Sequence, residues 1–438
     1  MKKGDDAKVK IDGINHAIHF VKTGSVSNGY LLNFLLEIEE SIIEKPEGYS
    51  DETVIELEMK YNVKDNETIN TDAPVIIAIM NESFVDLSVL GNEIHTNIDV
   101  FPYFDSLKEN TIRGNALTSV IGGGTANSEY EFLSGNTMAF LPSGSIVYQQ
   151  FIQDEPYTLI SYLKRLGYTA IATHPEDEKN WLRYSVYTKM GFDQQYFIND
   201  YPGEKLMREF VSDQEMYEQI IEWYENCEAN EKLFLFGITM QNHGFYDYEG
   251  EDFQNTIQLE GYSGKYLDVE QYLTILHESD KALKYMIEYF GNVDREVVLL
   301  FFGDHYPKLN ERFYEEVHGG TFDTLEEQML QYTVPFFIWA NYDIQEEYVE
   351  LTSLNYLSNL LLSAAGINLP AYNMFLEDVQ KVVPAMNSFG YFSKEQEKYI
   401  SYDDAVGNEK EMLKKYQILQ YNNMFDDNVS KPELFMSI

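Results

Sequence analysis

Short runs of uninterrupted apolar residues recur along the chain, each bounded by polar or turn-forming positions. They are Val75 to Met80, Thr169 to Thr173, Leu233 to Met240, Val297 to Phe302 and Val334 to Ala340. Runs of this length, rich in β-branched and aromatic residues and lacking polar alternation, predict strands buried on both faces, as in a parallel sheet. Between them the apolar spacing changes to a helical period. Tyr157 to Leu166 stops at Gly167, and Ser212 to Asn226 opens with Ser212-x-x-Glu215 in the arrangement of a capping box. Asp268 to Phe290 carries Leu273, Leu276, Leu283 and Ile287 at helical spacing, and Thr352 to Ala365 stops at Gly366. Strands and helices alternating in this way predict one large α/β sheet covered by helices on both faces. Residues 1–70 are polar and helical in pattern, with apolar clusters at Tyr30 to Leu36 and at Val54, Leu57 and Met59, and read as an N-terminal extension. Residues 71–400 hold the sheet, and 401–438 read as a polar tail.

Composition narrows the class. With 73 Asp and Glu against 31 Lys and Arg, the 438-residue chain carries a formal charge of −42. Such a surface repels nucleic acid and gains nothing from anionic lipid headgroups. Hydrophobic residues at 44% are ample for a core. The single cysteine, Cys227, excludes intrachain disulfides and any multi-cysteine metal site. The apolar runs, such as Val297 to Phe302, fall far short of the roughly 20 residues that span a bilayer, and no apolar segment follows the basic start Met1-Lys2-Lys3. The chain therefore reads either as cytosolic or as the soluble part of something larger.

Ligands of open α/β sheets bind beyond the carboxyl ends of the strands. The first polar residues there are Asn81-Glu82-Ser83, Gln241-Asn242-His243 and Gly303-Asp304-His305. Two carboxylates and two histidines thus share one rim, which points to a common site. Gly122-Gly123-Gly124-Thr125-Ala126-Asn127-Ser128-Glu129 opens a helix, where glycines admit a ligand close to the backbone and free N–H groups favour an anion. The plainer reading of that segment is a Gly-rich turn with Thr125 as an ordinary N-cap. No Lys follows in the P-loop position.

These segments resemble the lipoteichoic acid synthase and phosphoglycerol transferase family of the alkaline phosphatase and sulfatase superfamily, over about Val75 to Asn387. The resemblance implies an alkaline phosphatase-like three-layer α/β/α sandwich with a large, mostly parallel sheet. It implies Thr125 as nucleophile, and Glu82, Thr125, Asp304 and His305 as ligands of one divalent metal ion. It also implies His243 as the acid or base beside the nucleophile, and His174, Trp181 and Arg183, in an H-x6-W-x-R pattern, as the phosphoglycerol pocket. The mainly oxygen donor set favours Mn²⁺, with Mg²⁺ or Zn²⁺ as alternatives. The donor implied is a phosphatidylglycerol-like lipid, and the acceptor a glycolipid, polymer or glycan of the cell envelope. Family members that build teichoic acid carry transmembrane helices ahead of the catalytic domain, and the Tyr30 to Leu36 cluster resembles the linker helix that follows them. On this reading the chain is extracytoplasmic and meets the membrane only through a segment absent from it. Sulfatase chemistry needs a modified Cys or Ser in a C/S-x-P/A-x-R setting, and Cys227 lies in a Glu-rich helix. Three alternatives stay open: a phosphodiesterase, a phosphoethanolamine transferase with the same site, and a non-catalytic module that binds cell-wall polymers.

Overall fold

All five apolar runs form strands, and they lie in one sheet. A computed structural model describes residues 43–61, 73–91, 94–228, 230–262 and 264–426, so the Tyr30 to Leu36 cluster lies outside the described residues. Helix α1 (Asp51–Tyr61) precedes β1 (Val75–Asn81), and β2 (Thr111–Leu117) leads into α2 (Thr125–Ser134). Next come α3 (Leu159–Arg165), β3 (Tyr168–Thr173), α4 (Arg183–Met190), β4 (Gln194–Tyr196) and a small hairpin of β5 (Leu206–Met207) and β6 (Phe210–Val211). The chain continues through α5 (Asp213–Asn226), β7 (Lys232–Ile238), α6 (Leu267–Phe290), β8 (Val297–Gly303) and α7 (Glu311–His318). It then forms β9 (Thr333–Ala340), β10 (Glu347–Ser353), α8 (Leu357–Ala364), α9 (Ala371–Gln380) and α10 (Gly407–Phe425).

The eight-stranded sheet has the order β10-β2-β9-β8-β1-β7-β3-β4. Only β9 runs against its neighbours, β2 and β8, so the other seven strands share one direction. Every residue of β1, β8 and β9 is buried, as expected for strands covered on both faces by helices. This is the alkaline phosphatase-like sandwich, with its mostly parallel sheet, that the family resemblance implies.

Four details differ from the sequence pattern. Strands β2 and β10 carry no apolar run: Arg113, Gly114 and Asn115 interrupt β2, and β10, at the sheet edge, exposes Glu347, Tyr348 and Glu350. Gly114 is what lets the two approach, since a Cβ there would lie 1.9 Å from the Val349 carbonyl oxygen. The helix expected from Thr352 begins only at Leu357, because Thr352 and Ser353 pair with β2. The capping box of α5 is half formed: the Ser212 hydroxyl accepts from the Glu215 N–H at 3.2 Å, but the Glu215 carboxylate accepts instead from the backbone of Gly203 and Lys205.

The fourth difference concerns residues 401–438, where the described part is not a loose tail. Helix α10 buries Leu413, Tyr416, Ile418 and Leu419, and its Gln420 side chain bonds both the N–H and the carbonyl of Thr137 at 2.9 Å. Its apolar residues are spread around the helix, so no amphipathic stripe marks it in the sequence. Helix α1 buries Val54, Leu57 and Tyr61, and the Tyr61 hydroxyl donates to Asp378 of α9 at 2.8 Å.

Candidate active site

Because β2, β8, β1, β7 and β3 point the same way, their carboxyl ends form one rim. Glu82 follows β1 directly, Asp304 and His305 follow β8, His174 follows β3, and His243 lies five residues beyond the end of β7. The Gly-rich loop starts after β2, and backbone pairing pins it to the β8 loop: Gly122 N–H donates to the Tyr306 carbonyl at 2.8 Å. One cavity of about 600 Å³ is lined by Glu82, Thr125, His174, Trp181, Arg183, His243 and His305 together.

Glu82, Asp304 and His305 are all buried and place one donor atom each within 4.8 Å of the others. His305 Nε2 lies 3.2 Å from Asp304 Oδ2 and 3.8 Å from Glu82 Oε1. The Thr125 hydroxyl lies 3.4 Å from His305 Nε2 and 3.5 Å from Glu82 Oε2. The two Thr125 separations are too long for good hydrogen bonds. They match the edges of a coordination polyhedron, since ligands about 2.1 Å from a tetrahedral ion stand about 3.4 Å apart. Hydrogen bonding around the trio leaves its inner atoms free. Asp304 Oδ1 accepts from the backbone N–H groups of Ser83 (2.7 Å) and His305 (2.8 Å), whereas the buried Oδ2 has no hydrogen bond. The His305 Nδ1–H donates to the Tyr306 carbonyl at 3.0 Å, which turns an unprotonated Nε2 inward. Ser83, in left-handed backbone at φ 51°, also donates its hydroxyl to Glu82 Oε1 at 2.9 Å.

The electrostatics agree. Burial, and then the neighbouring Glu82 carboxylate, push Asp304 well up from the usual carboxylate range. Burial would lower His305, but the carboxylates of Asp304 and Glu82 outweigh it and raise it. Two buried carboxylates, an imidazole and an orphaned oxygen form a site that fits one divalent cation.

Thr125 is not the N-cap of α2. Gly124 takes that position, in left-handed backbone at φ 91°, so the Thr125 hydroxyl is left for the cavity instead of capping the helix. Gly303 is required by contact as well: a Cβ there would sit 2.0 Å from the Phe84 carbonyl oxygen, in the turn that follows β1.

Arg183 is buried, but its guanidinium is already engaged. Its Nε and Nη2 donate to Glu129 Oε1 at 3.0 and 2.7 Å, and the Tyr187 hydroxyl donates to Glu129 Oε2 at 2.6 Å. One edge of the fork belongs to Glu129, so a phosphate would meet the Nη1 side. Trp181 and Leu182, both in left-handed backbone at φ 56° and 59°, turn the chain so that Trp181 lines the cavity and Arg183 begins α4. His174 donates from Nδ1 to the Ile238 carbonyl at 3.1 Å, and burial, then Arg183, hold its pKa well below the ordinary histidine value. It is therefore neutral, with Nε2 as an acceptor.

His243 is the exposed member, held through its loop. The buried Arg208 guanidinium donates to the carbonyls of Gln241 (2.7 Å), His243 (2.8 Å) and Phe245 (2.8 Å). The β1 and β7 ends are tied by Asn242 Nδ2 to Asn81 Oδ1 and by Asn81 Nδ2 to Asp213 Oδ2, both at 2.8 Å. Burial pushes Asp213 up to about 6. Arg208 and Asp213 escape sequence reasoning as positioning residues, because each acts on partners distant in the chain. Ser83 and Glu129 do carry a signal, as the last residues of Asn81-Glu82-Ser83 and of the Gly-rich segment, though not of the positioning role each has.

The Arg183–Glu129 pair allows a direct check. Glu129→Ala leaves a buried guanidinium unpaired and is expected to cost ~3–5 kcal/mol in chemical denaturation. Arg183→Lys keeps the charge but loses the fork that grips Glu129, and is expected to cost less than Glu129→Ala in the same measurement.

On one rim of a mostly parallel sheet, two buried carboxylates, a histidine and an uncapped hydroxyl at a helix start thus come together. The chain belongs to the sulfatase family, whose model matches residues 74–367. Over 420 residues, 94% of its length, it is 28% identical to a Rhizobium meliloti (strain 1021) protein assigned to cyclic β-1,2-glucan modification, and it spans 64% of that relative. Its fold is similar to that of the Streptococcus pyogenes phosphoglycerol transferase GacH, solved with sn-glycerol-1-phosphate. The TM-score is 0.69 at 23% identity, covering 87% of this chain and 95% of that one. The lipoteichoic acid synthase LtaP of Listeria monocytogenes matches with a TM-score of 0.63 at 20% identity, over 85% of this chain and 99% of that one.

Proposed function

We propose that the chain is a metal-dependent phosphoglycerol transferase that moves glycerophosphate from a phosphatidylglycerol-like lipid to a hydroxyl of a cell-envelope acceptor. The observation that carries this reading is the Thr125 hydroxyl. It is buried, free of capping duty, 3.4–3.5 Å from two of the metal-type donors, and in the same cavity as neutral His174 and Arg183. Fold likeness to a phosphoglycerol transferase solved with glycerol phosphate supports the donor.

Glu82, Asp304, His305 and Thr125 would hold the ion, Mn²⁺ being the best match to this donor set. When bound, a divalent cation there lowers the pKa of the threonine hydroxyl and offsets negative charge at phosphorus. Arg183 and His174 bind the glycerophosphate and orient it, and Trp181 walls off one side. In the first half-reaction the Thr125 oxyanion forms a bond to phosphorus, the bond to the diacylglycerol oxygen breaks, and His243 gives that oxygen its proton. In the second, the acceptor hydroxyl returns a proton to His243 and bonds to phosphorus. The bond to Thr125 then breaks, and the oxyanion is restored.

Among the described residues no helix is long and apolar enough to cross a membrane. With a lipid donor, the site works against a membrane surface, outside the cytoplasm. Incubation with fluorescent phosphatidylglycerol, with and without Mn²⁺, is expected to release diacylglycerol only with the ion. Release from phosphatidylethanolamine in its place would reassign the donor, and free glycerophosphate as the sole product would make the enzyme a phosphodiesterase.

A further inference from the structure

The cavity has a buried floor and an exposed rim, and the rim carries groups for which the chemistry above has no use. Phe245 is 82% exposed, the most exposed large apolar side chain among the described residues, and it lines the cavity beside His243. Its loop is nonetheless firmly held. Besides the three Arg208 bonds, the Tyr246 hydroxyl donates to the Asn242 carbonyl at 2.8 Å, and the Arg208 guanidinium lies over the rings of Phe210 and Tyr246 at 5.2 and 5.8 Å. A buried arginine thus fixes a loop that presents a bare aromatic ring to the mouth of the site.

Asp247 and Asp268 line the same mouth, and neither carboxylate is engaged by a hydrogen bond or ion pair among the described residues. Besides Glu82 of the trio, Glu176 adds a third lining carboxylate, against the single ammonium of Lys308. A flat aromatic face beside unengaged carboxylates suits a ligand that is apolar on one face and rich in hydroxyl donors at its edges, which describes a sugar ring. An acyl chain has no use for the carboxylates. An anionic polymer is repelled by them and by the −42 charge of the chain.

We infer that Phe245, Asp247 and Asp268 form the acceptor subsite, and that the acceptor is a neutral carbohydrate whose ring stacks on Phe245 and whose hydroxyls donate to the two carboxylates. This rests on the transferase reading and names its acceptor. One consequence follows from charge: each transferred glycerophosphate makes the sugar anionic, so the modified chain is a poorer acceptor at the same place, and single units are added in preference to a growing polymer.

The experiment uses the full chain with Mn²⁺, phosphatidylglycerol vesicles and a mixture of neutral β-linked gluco-oligosaccharides, with the succinylated mixture as the anionic control. Two readouts are taken. One is the share of released glycerophosphate that ends on sugar as opposed to water. The other is saturation-transfer NMR of the oligosaccharides without donor. Phe245→Ala is expected to lower the transferred share at least tenfold and to abolish saturation transfer, and Phe245→Trp to restore both. The wild type is expected to prefer neutral over succinylated sugar at least tenfold, and Asp247→Asn with Asp268→Asn to narrow that preference. Three results overturn the inference: an unchanged share in Phe245→Ala, an equal fall in transfer and hydrolysis, which would give the ring to the donor lipid, or equal use of the anionic sugars. If the wild type binds neutral oligosaccharides through Phe245 but releases no diacylglycerol, the donor reading falls and the subsite stands. If it releases diacylglycerol but neither binds nor modifies neutral sugars, the subsite falls alone.

Discussion

Thr125→Ala is expected to bind phosphatidylglycerol and release no diacylglycerol from it, a loss of at least about a thousandfold, or ~4 kcal/mol of transition-state stabilisation. The reason is positional. The Gly-rich loop, pinned to the β8 loop through Gly122 and Tyr306, delivers the Thr125 hydroxyl beside Glu82 and His305. The Ser83 hydroxyl is already committed to Glu82 at 2.9 Å. Thr125→Ser retains part of the activity, because the hydroxyl stays at the helix start and only the methyl that restricts its rotamer is lost. Acid quenching of a single turnover followed by peptide mass spectrometry is expected to find glycerophosphate on Thr125. An adduct on another residue, or an active Thr125→Ala protein, would overturn the mechanism.

The second large effect is that of the ion. Chelation is expected to abolish turnover and Mn²⁺ to restore it, and a hundredfold excess of metal over its Kd adds about 2.7 kcal/mol to the unfolding free energy of the wild type. Asp304→Asn separates the two roles of that carboxylate. Its Oδ1 can still accept from Ser83 and His305, so the loop is retained, but the orphaned Oδ2 is replaced by an amide that does not bind a cation. The metal-free variant is expected to melt no lower than the metal-free wild type, since a buried carboxylate beside Glu82 has been neutralised. Mn²⁺ should then stabilise the wild type alone in a thermal melt. Full turnover by the chelated wild type would sink the metal assignment.

Much of this site can be read in the sequence because strand ends are easy to find. Uninterrupted runs such as Val297 to Phe302 must be buried on both faces, so the first polar residue after each falls on the rim where ligands bind. That places Glu82, Asp304 and His305 without any knowledge of strand order. Strands β2 and β10 give no such signal. Polar residues interrupt β2, and β10 runs along the sheet edge, so their partners, not their composition, make them strands. The same holds for α10, whose apolar residues meet the core on several sides.

By itself, then, the sequence determines the α/β class, the direction in which the chemistry lies and the residue types available to it, because hydrophobic period and turn chemistry are local properties of the chain. Tertiary structure alone decides which of those residues meet. It spends one edge of Arg183 on Glu129, 54 residues away, and leaves Thr125 uncapped by giving the N-cap to Gly124. It turns Asp304 Oδ2 inward without a partner, and it holds Phe245 open to solvent through Arg208. The Arg183–Glu129 and Arg208–Phe245 contacts rest on distances between groups remote in the chain, and hydrogen bonds and charge interactions fall off over a few ångströms. No pattern along one dimension can therefore fix them.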